Sequence, residues 1–123
     1  MTGNRALFDS NIIIYLSKRE ISLSVVQQFD EIFISVITYM EILGHNFVDQ
    51  KEEMFIRDLL SAFKMIYIDQ KIADIVVKIR KEKRIKLPDA IISATAISED
   101  LYLVTRNIDD FINIDVKILN PFE

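Results

Sequence analysis

The sequence predicts an α/β fold in which a parallel sheet carries helices on both faces. Three observations predict it. Short apolar, β-branched runs alternate along the chain with segments of helical periodicity, the pattern of parallel sheets buried on two sides. Only two glycines and two prolines punctuate 123 residues, so the loops are short. Acidic residues stand where apolar runs stop, at the strand ends where such sheets bind their ligands.

Residues 5–9 are an apolar run ending at Asp9 and read as the first buried strand. Ser10 is placed to cap a short helix running to Leu16. Residues 22–29 read as helical. Residues 32–36 are apolar and β-branched, hence a strand, and 38–44 a helix that Gly44 is placed to stop. In residues 51–63, Phe55, Ile56, Leu59, Leu60 and Phe63 form one stripe at helical spacing. Residues 65–68 are a strand. Residues 70–83 form a second amphipathic helix with Ile72, Ile75, Val76 and Ile79 inward. In Leu87-Pro88-Asp89 the proline suits the first turn of a helix, which puts Asp89 at the second helical position. That helix, 88–99, is rich in small residues (Ala90, Ser93, Ala94, Ala96) that allow close backbone packing. Residues 101–105 and 116–119 are the last strands.

A chain of this length is expected to be one domain. Half of its residues are hydrophobic, so some apolar area should lie at a subunit or partner interface. The absence of cysteine excludes disulfides and thiolate metal sites. With no signal-peptide pattern, and apolar runs far below the ~20 residues a membrane span needs, a cytoplasmic protein without a membrane is expected. The net charge of −4 argues mildly against nucleic-acid binding. Segment 78–86, Lys-Ile-Arg-Lys-Glu-Lys-Arg-Ile-Lys, reverses that sign locally.

Asp9, Glu41, Asp89 and the 107–110 segment each adjoin apolar sequence that should be core. Singly, Asp9 reads as a turn residue and Asp89 as an acid complementing a helix dipole. Together they need another reason. Two carboxylates ~4 Å apart at an effective dielectric of ~20 repel by about 4 kcal/mol. Either some protonate or a cation sits among them. An all-oxygen donor set favours a hard ion, Mg²⁺ or Mn²⁺, which equips a site for phosphodiester hydrolysis. The single histidine, His45, follows Gly44 and reads as a surface residue without a catalytic role. The Phe and Tyr residues fall mostly at core spacing and offer no stacking platform; Tyr15 is the aromatic closest to the expected cleft.

Four blocks carry a family resemblance: Phe8-Asp9-Ser10-Asn11-Ile12-Ile13-Ile14-Tyr15, Ser35-Val36-Ile37-Thr38-Tyr39-Met40-Glu41, Lys86-Leu87-Pro88-Asp89-Ala90, and Leu103-Val104-Thr105-Arg106-Asn107 through Asp110-Phe111. Together they resemble the sequence blocks of PIN-domain ribonucleases, above all the VapC-type toxins of prokaryotic toxin–antitoxin pairs. The resemblance implies one PIN-like domain over residues 1–123, with three α/β/α layers and a five-stranded parallel sheet. It implies an Mg²⁺- or Mn²⁺-dependent endoribonuclease that uses a metal-activated water and leaves a 5′-phosphate and a 3′-hydroxyl. It also implies a homodimer, an RNA substrate and a VapB-like antitoxin whose C-terminal segment covers the active site. Asp9, Glu41 and Asp89 match the family's three core acids. Asp110 is taken as the fourth, with Asn107 as an orienting or metal-water ligand and Asp109 as the alternative. Thr105 and Ser10 are expected to hydrogen-bond the acids or bound waters. Lys83, Arg84, Lys86 and Arg106 are the candidate RNA contacts.

Two other functions compete with this one. A non-catalytic RNA- or protein-binding module would keep the fold and its acids; Asn107, a partial departure at a position where the family often has Asp or Asn, is the one feature favouring it. A phospho-acceptor regulator expects a pair of acids after the first strand, and residues 6–9 offer one.

Overall fold

The computed structural model describes residues 4–122; residues 1–3 and 123, which the single-domain reading includes, lie outside the described residues. In chain order the elements are β1 (Arg5–Phe8), α1 (Ser10–Ser17), α2 (Ser24–Gln27), β2 (Glu31–Ser35), α3 (Val36–Leu43), α4 (Gln50–Ser61), β3 (Lys64–Ile66), α5 (Gln70–Glu82), α6 (Leu87–Glu99), β4 (Tyr102–Val104), a 3-10 turn (Ile108–Phe111) and β5 (Ile118–Leu119). All strand pairs are parallel, and the five-stranded sheet runs β3-β2-β1-β4-β5. The order therefore reverses between β1 and β4, whose register pairs Leu7 with Leu103 and Phe8 with Val104. A crevice opens beyond the C-terminal ends of strands at such a reversal.

Alternation along the strands divides the core into two layers. Ala6, Phe8, Ile32, Ile34 and Val104 face Ile12, Leu16, Ile56 and Leu60 of α1 and α4. Leu7 and Leu103 face the other way, toward Ile92 and Ala96 of α6. Behind them Ala90 and Ala94 pack on Ile72, Val76 and Ile79 of α5, so the small side chains of α6 let two helices approach closely. Helix α3 reaches both layers, with Ile42 in the first and Ile37 against the second. No helix among the described residues is long and apolar enough to cross a membrane.

Several local expectations shift. The helix expected over 22–29 shrinks to four residues. Ser22 Oγ accepts from the Ser24 N–H in a turn, Leu23 offers no side-chain cap, and Val25 and Val26 are β-branched. Helix α3 starts two residues early because Ser35 Oγ caps it through the Ile37 N–H. Asp89 is the third residue of α6, since Leu87 is already helical. Gly44 does end α3, in right-handed rather than left-handed conformation. A Cβ there would lie 2.6 Å from the Met40 carbonyl oxygen, so close approach and not φ requires glycine. The last strand keeps two of its four expected residues.

Phe8 is wholly buried, with the rings of Phe29 and Phe63 edge-on at 6.0 and 5.7 Å. Phe8→Ala is expected to cost about 3–5 kcal/mol, read as a lowered urea midpoint with an unchanged slope.

Candidate metal centre

Asp9 follows β1 directly in extended backbone and caps α1: its Oδ1 accepts the Ile12 N–H at 3.1 Å. The expected cap, Ser10, is instead the first helical residue, and its hydroxyl donates to Glu41 Oε1 at 2.8 Å. Both residues are good caps by type; the parallel ladder decides between them, because the Asp9 N–H still pairs with the Val104 carbonyl. The other oxygen of Asp9 accepts a hydrogen bond from Thr105, the fully buried residue after β4. Thr105 Oγ1 accepts the Asn107 N–H in turn, at 3.0 Å. A chain of hydrogen bonds thus ties the turn after β4 to the end of β1.

Glu41 enters from the second turn of α3, Asp89 from the first turn of α6 and Asp110 from the 3-10 turn after β4. With Asp9, Ser10 and Asn107 they line one cleft of about 170 Å³. Asn11, which sequence reasoning passed over, lines it too, as does Pro88; Asp109 does not. Four carboxylates from four separate segments therefore line one cleft, beside the strand pair at which the order reverses. Three of them sit at helix starts, where the unpaired N–H groups partly offset their charge.

That offset is incomplete. Burial pushes the Asp9 carboxyl above its ordinary range, against the lowering effect of the Thr105 and Ile12 hydrogen bonds, and the charges of Asp89 and Asp110 push it further. Asp89 is also raised, by burial first and by Asp110 next, with Glu41 adding and Lys86 opposing. Where burial first, and neighbouring acids next, raise a carboxyl's affinity for protons, a cation would relieve the same cost. The donors are all oxygen, which fits Mg²⁺ or Mn²⁺. Among the described residues, no group of three or more acidic or histidine side chains is drawn close enough to hold a metal ion unaided.

The candidate RNA contacts divide. Lys86 precedes α6 and acts on Asp89. Lys83 and Arg84 instead line a separate open patch with Arg80 and Lys81 and are not among the residues lining the acid cleft. Arg106 is exposed beside Asn107. Its guanidinium lies 4.4 Å from the Phe122 ring centroid and donates to the Tyr15 hydroxyl at 3.2 Å.

Comparison with known proteins gives this geometry its context. No curated protein matches the sequence. Solved structures match its fold. A chain of a toxin–antitoxin complex from Klebsiella pneumoniae is 38% identical, with 96% of this chain and 98% of that one covered and a TM-score of 0.77. VapBC-1 from nontypeable Haemophilus influenzae gives 25% identity, 97% and 99% coverage and a TM-score of 0.81. FitAcB from Neisseria gonorrhoeae gives 25% identity, 96% and 99% coverage and a TM-score of 0.79. The family model described as PIN domain matches residues 6–117, almost the whole of the chain, and the protein accordingly belongs to the PIN domain family.

Proposed function

We propose that this protein is an Mg²⁺- or Mn²⁺-dependent endoribonuclease, the toxin of a toxin–antitoxin pair. The observation that carries the reading is the convergence of Asp9, Glu41, Asp89 and Asp110 on one cleft at the reversal of strand order. These four acids are the proposed ion ligands. When bound, the ion would lower the pKa of a water and neutralise charge on the phosphate. The chain's own residues prepare the site. Ile12 and Thr105 each take one oxygen of Asp9, which fixes the carboxylate plane and leaves further lone pairs free. Ser10 orients Glu41 in the same way. Asn107 is the proposed water-orienting group. Arg106, held by Tyr15 and Phe122 and forming no ion pair among the described residues, is placed to meet an RNA phosphate, with Lys86 beside Asp89.

A VapB-like antitoxin and a second copy of the chain are the proposed partners, in the cytoplasm. Of the relatives named above, the one from Klebsiella pneumoniae is a toxin–antitoxin complex by description. Met40 of α3 and Met54 and Phe55 of α4 leave large apolar side chains exposed, as a partner surface would. A second reading is a non-catalytic RNA- or protein-binding module. The absence of a preformed metal-binding cluster among the described residues favours it.

Cleavage separates the two. Asp9→Asn and Asp89→Asn are each expected to abolish Mn²⁺-dependent cutting of a structured RNA, and growth inhibition on expression, with the fold intact by circular dichroism. Equal cutting by wild type and either variant would remove that acid from the ligand set.

Metal should also register in stability. Binding only the native state, Mn²⁺ at a hundred times its dissociation constant should add about 2.7 kcal/mol and raise Tm. Asp9 and Asp89 have folded pKa values above their unfolded ones. Without metal they therefore cost no stability below the ordinary carboxylate pKa and reach their full cost only above the raised values. Protons compete with the ion, so the Mn²⁺-induced Tm shift should shrink as pH falls through the raised range, and Asp9→Asn should remove most of it. A flat Tm across millimolar Mn²⁺ at neutral pH would contradict the site.

Thr105→Val keeps the buried shape but strips Asp9 of a donor and the Asn107 N–H of its acceptor. It is expected to cost about 1–3 kcal/mol by denaturant unfolding and to lower kcat.

A further inference from the structure

Beside the acid cleft lies a second groove, of about 280 Å³, that shares Ser10 and Glu41 with it. The Ser10–Glu41 hydrogen bond is part of the wall common to both hollows. Ile14 of α1, Ile42 of α3 and Ile56 of α4 give this groove an apolar lining. His45 and Phe47, from the loop between α3 and α4, contribute two rings packed edge to face with centroids 5.6 Å apart. Lys18 and Glu52, both exposed, add one charge of each sign.

We propose that this groove is a nucleobase subsite, which receives the base of a nucleotide next to the phosphate held among the acids. The proposal rests on the nuclease reading and deepens it, by giving that activity a sequence preference. A nucleobase has apolar faces and a polar edge, and RNA-binding sites take it up by stacking and by hydrogen bonds to that edge. The groove offers both kinds of surface. Isoleucines and the His45–Phe47 pair supply faces. Glu52 is an acceptor for an exocyclic amino group, and Lys18 a donor to a base carbonyl or to the adjoining phosphate. The volume falls just below the ~300 Å³ at which pockets for drug-sized ligands begin, so the groove suits one ring system. A wholly apolar side chain of a protein partner would fill the same space without engaging Glu52, Lys18 or His45. The two hollows divide the work: the acid cleft presents carboxylates, and its neighbour presents rings and hydrocarbon.

His45 is the only histidine, so its imidazole resonances report this groove alone. The test is a proton NMR titration of the whole protein with each of the four nucleoside 5′-monophosphates and with ribose 5-phosphate. Saturable shifts of the His45 signals are expected with the nucleotides and not with ribose 5-phosphate, and one base should bind best. Asp9→Asn should keep that preference. Phe47→Leu and Glu52→Gln should weaken it, and His45→Ala should flatten base preference next to the cut in a randomised RNA while raising KM about tenfold, the loss expected for a stacking face. Absence of any base-dependent shift overturns the subsite, and so does a His45 shift that only an apolar peptide produces, which assigns the groove to a protein. Failure of the two readings looks different. Base-dependent shifts without Asp9-dependent cutting retain the subsite and sink the nuclease; Asp9-dependent cutting without base-dependent shifts does the reverse.

Discussion

Both carboxylate oxygens of Asp9 are gripped, one by the Ile12 amide and one by Thr105, and the cleft is organised around that grip. The first bond is a helix cap of the kind that contributes about 1 kcal/mol. The second crosses from the end of β1 to the end of β4, the two strands between which the order reverses. Asp9 therefore belongs at once to local helix chemistry, to the register of the sheet and to the wall of the cleft. Few substitutions satisfy all three. Asparagine keeps an acceptor for Ile12, whereas alanine would lose both bonds and leave a buried hydroxyl without its partner.

The fold accepts an electrostatic cost at this place and limits it with backbone. Three of the four acids are set at the starts of helices, where free N–H groups carry partial positive charge. Burial still wins at Asp9 and Asp89, whose affinity for protons is raised. A site poised in this way has more to gain from a divalent ion than a scatter of surface acids would. The neighbouring groove differs in composition, with isoleucines and two rings beside its charged residues.

The layered fold was legible because strands buried on both faces read as uninterrupted apolar runs, as in Ala6-Leu7-Phe8 and Ile32-Phe33-Ile34. The acids were legible because each interrupts such a context. Chain position did not reveal which atoms hold them. Ser10 and Asp9 are equally good caps by residue type, and only the pairing of the Asp9 N–H with Val104 selects Asp9. Asp109 and Asp110 are adjacent, and the 3-10 turn alone decides that Asp110 lines the cleft. Lys83 and Arg84 sat close to Asp89 in sequence, yet the loop before α6 carries them to another surface. The aromatic pairing of His45 with Phe47 was invisible for a different reason: the isoleucines around it come from three helices, and no spacing along one segment displays them.

The place of β4 has a consequence for the life of the chain on the ribosome. Strand β1 emerges first, but the strand that flanks it on one side arrives almost a hundred residues later, along with Thr105 and Asp110. Until then Asp9 has no cross-sheet donor and the cleft has no closing wall. A nascent polypeptide carrying its first three acids therefore has an unfinished cleft, whose fourth acid and buried hydroxyl come only with the last turns to be translated.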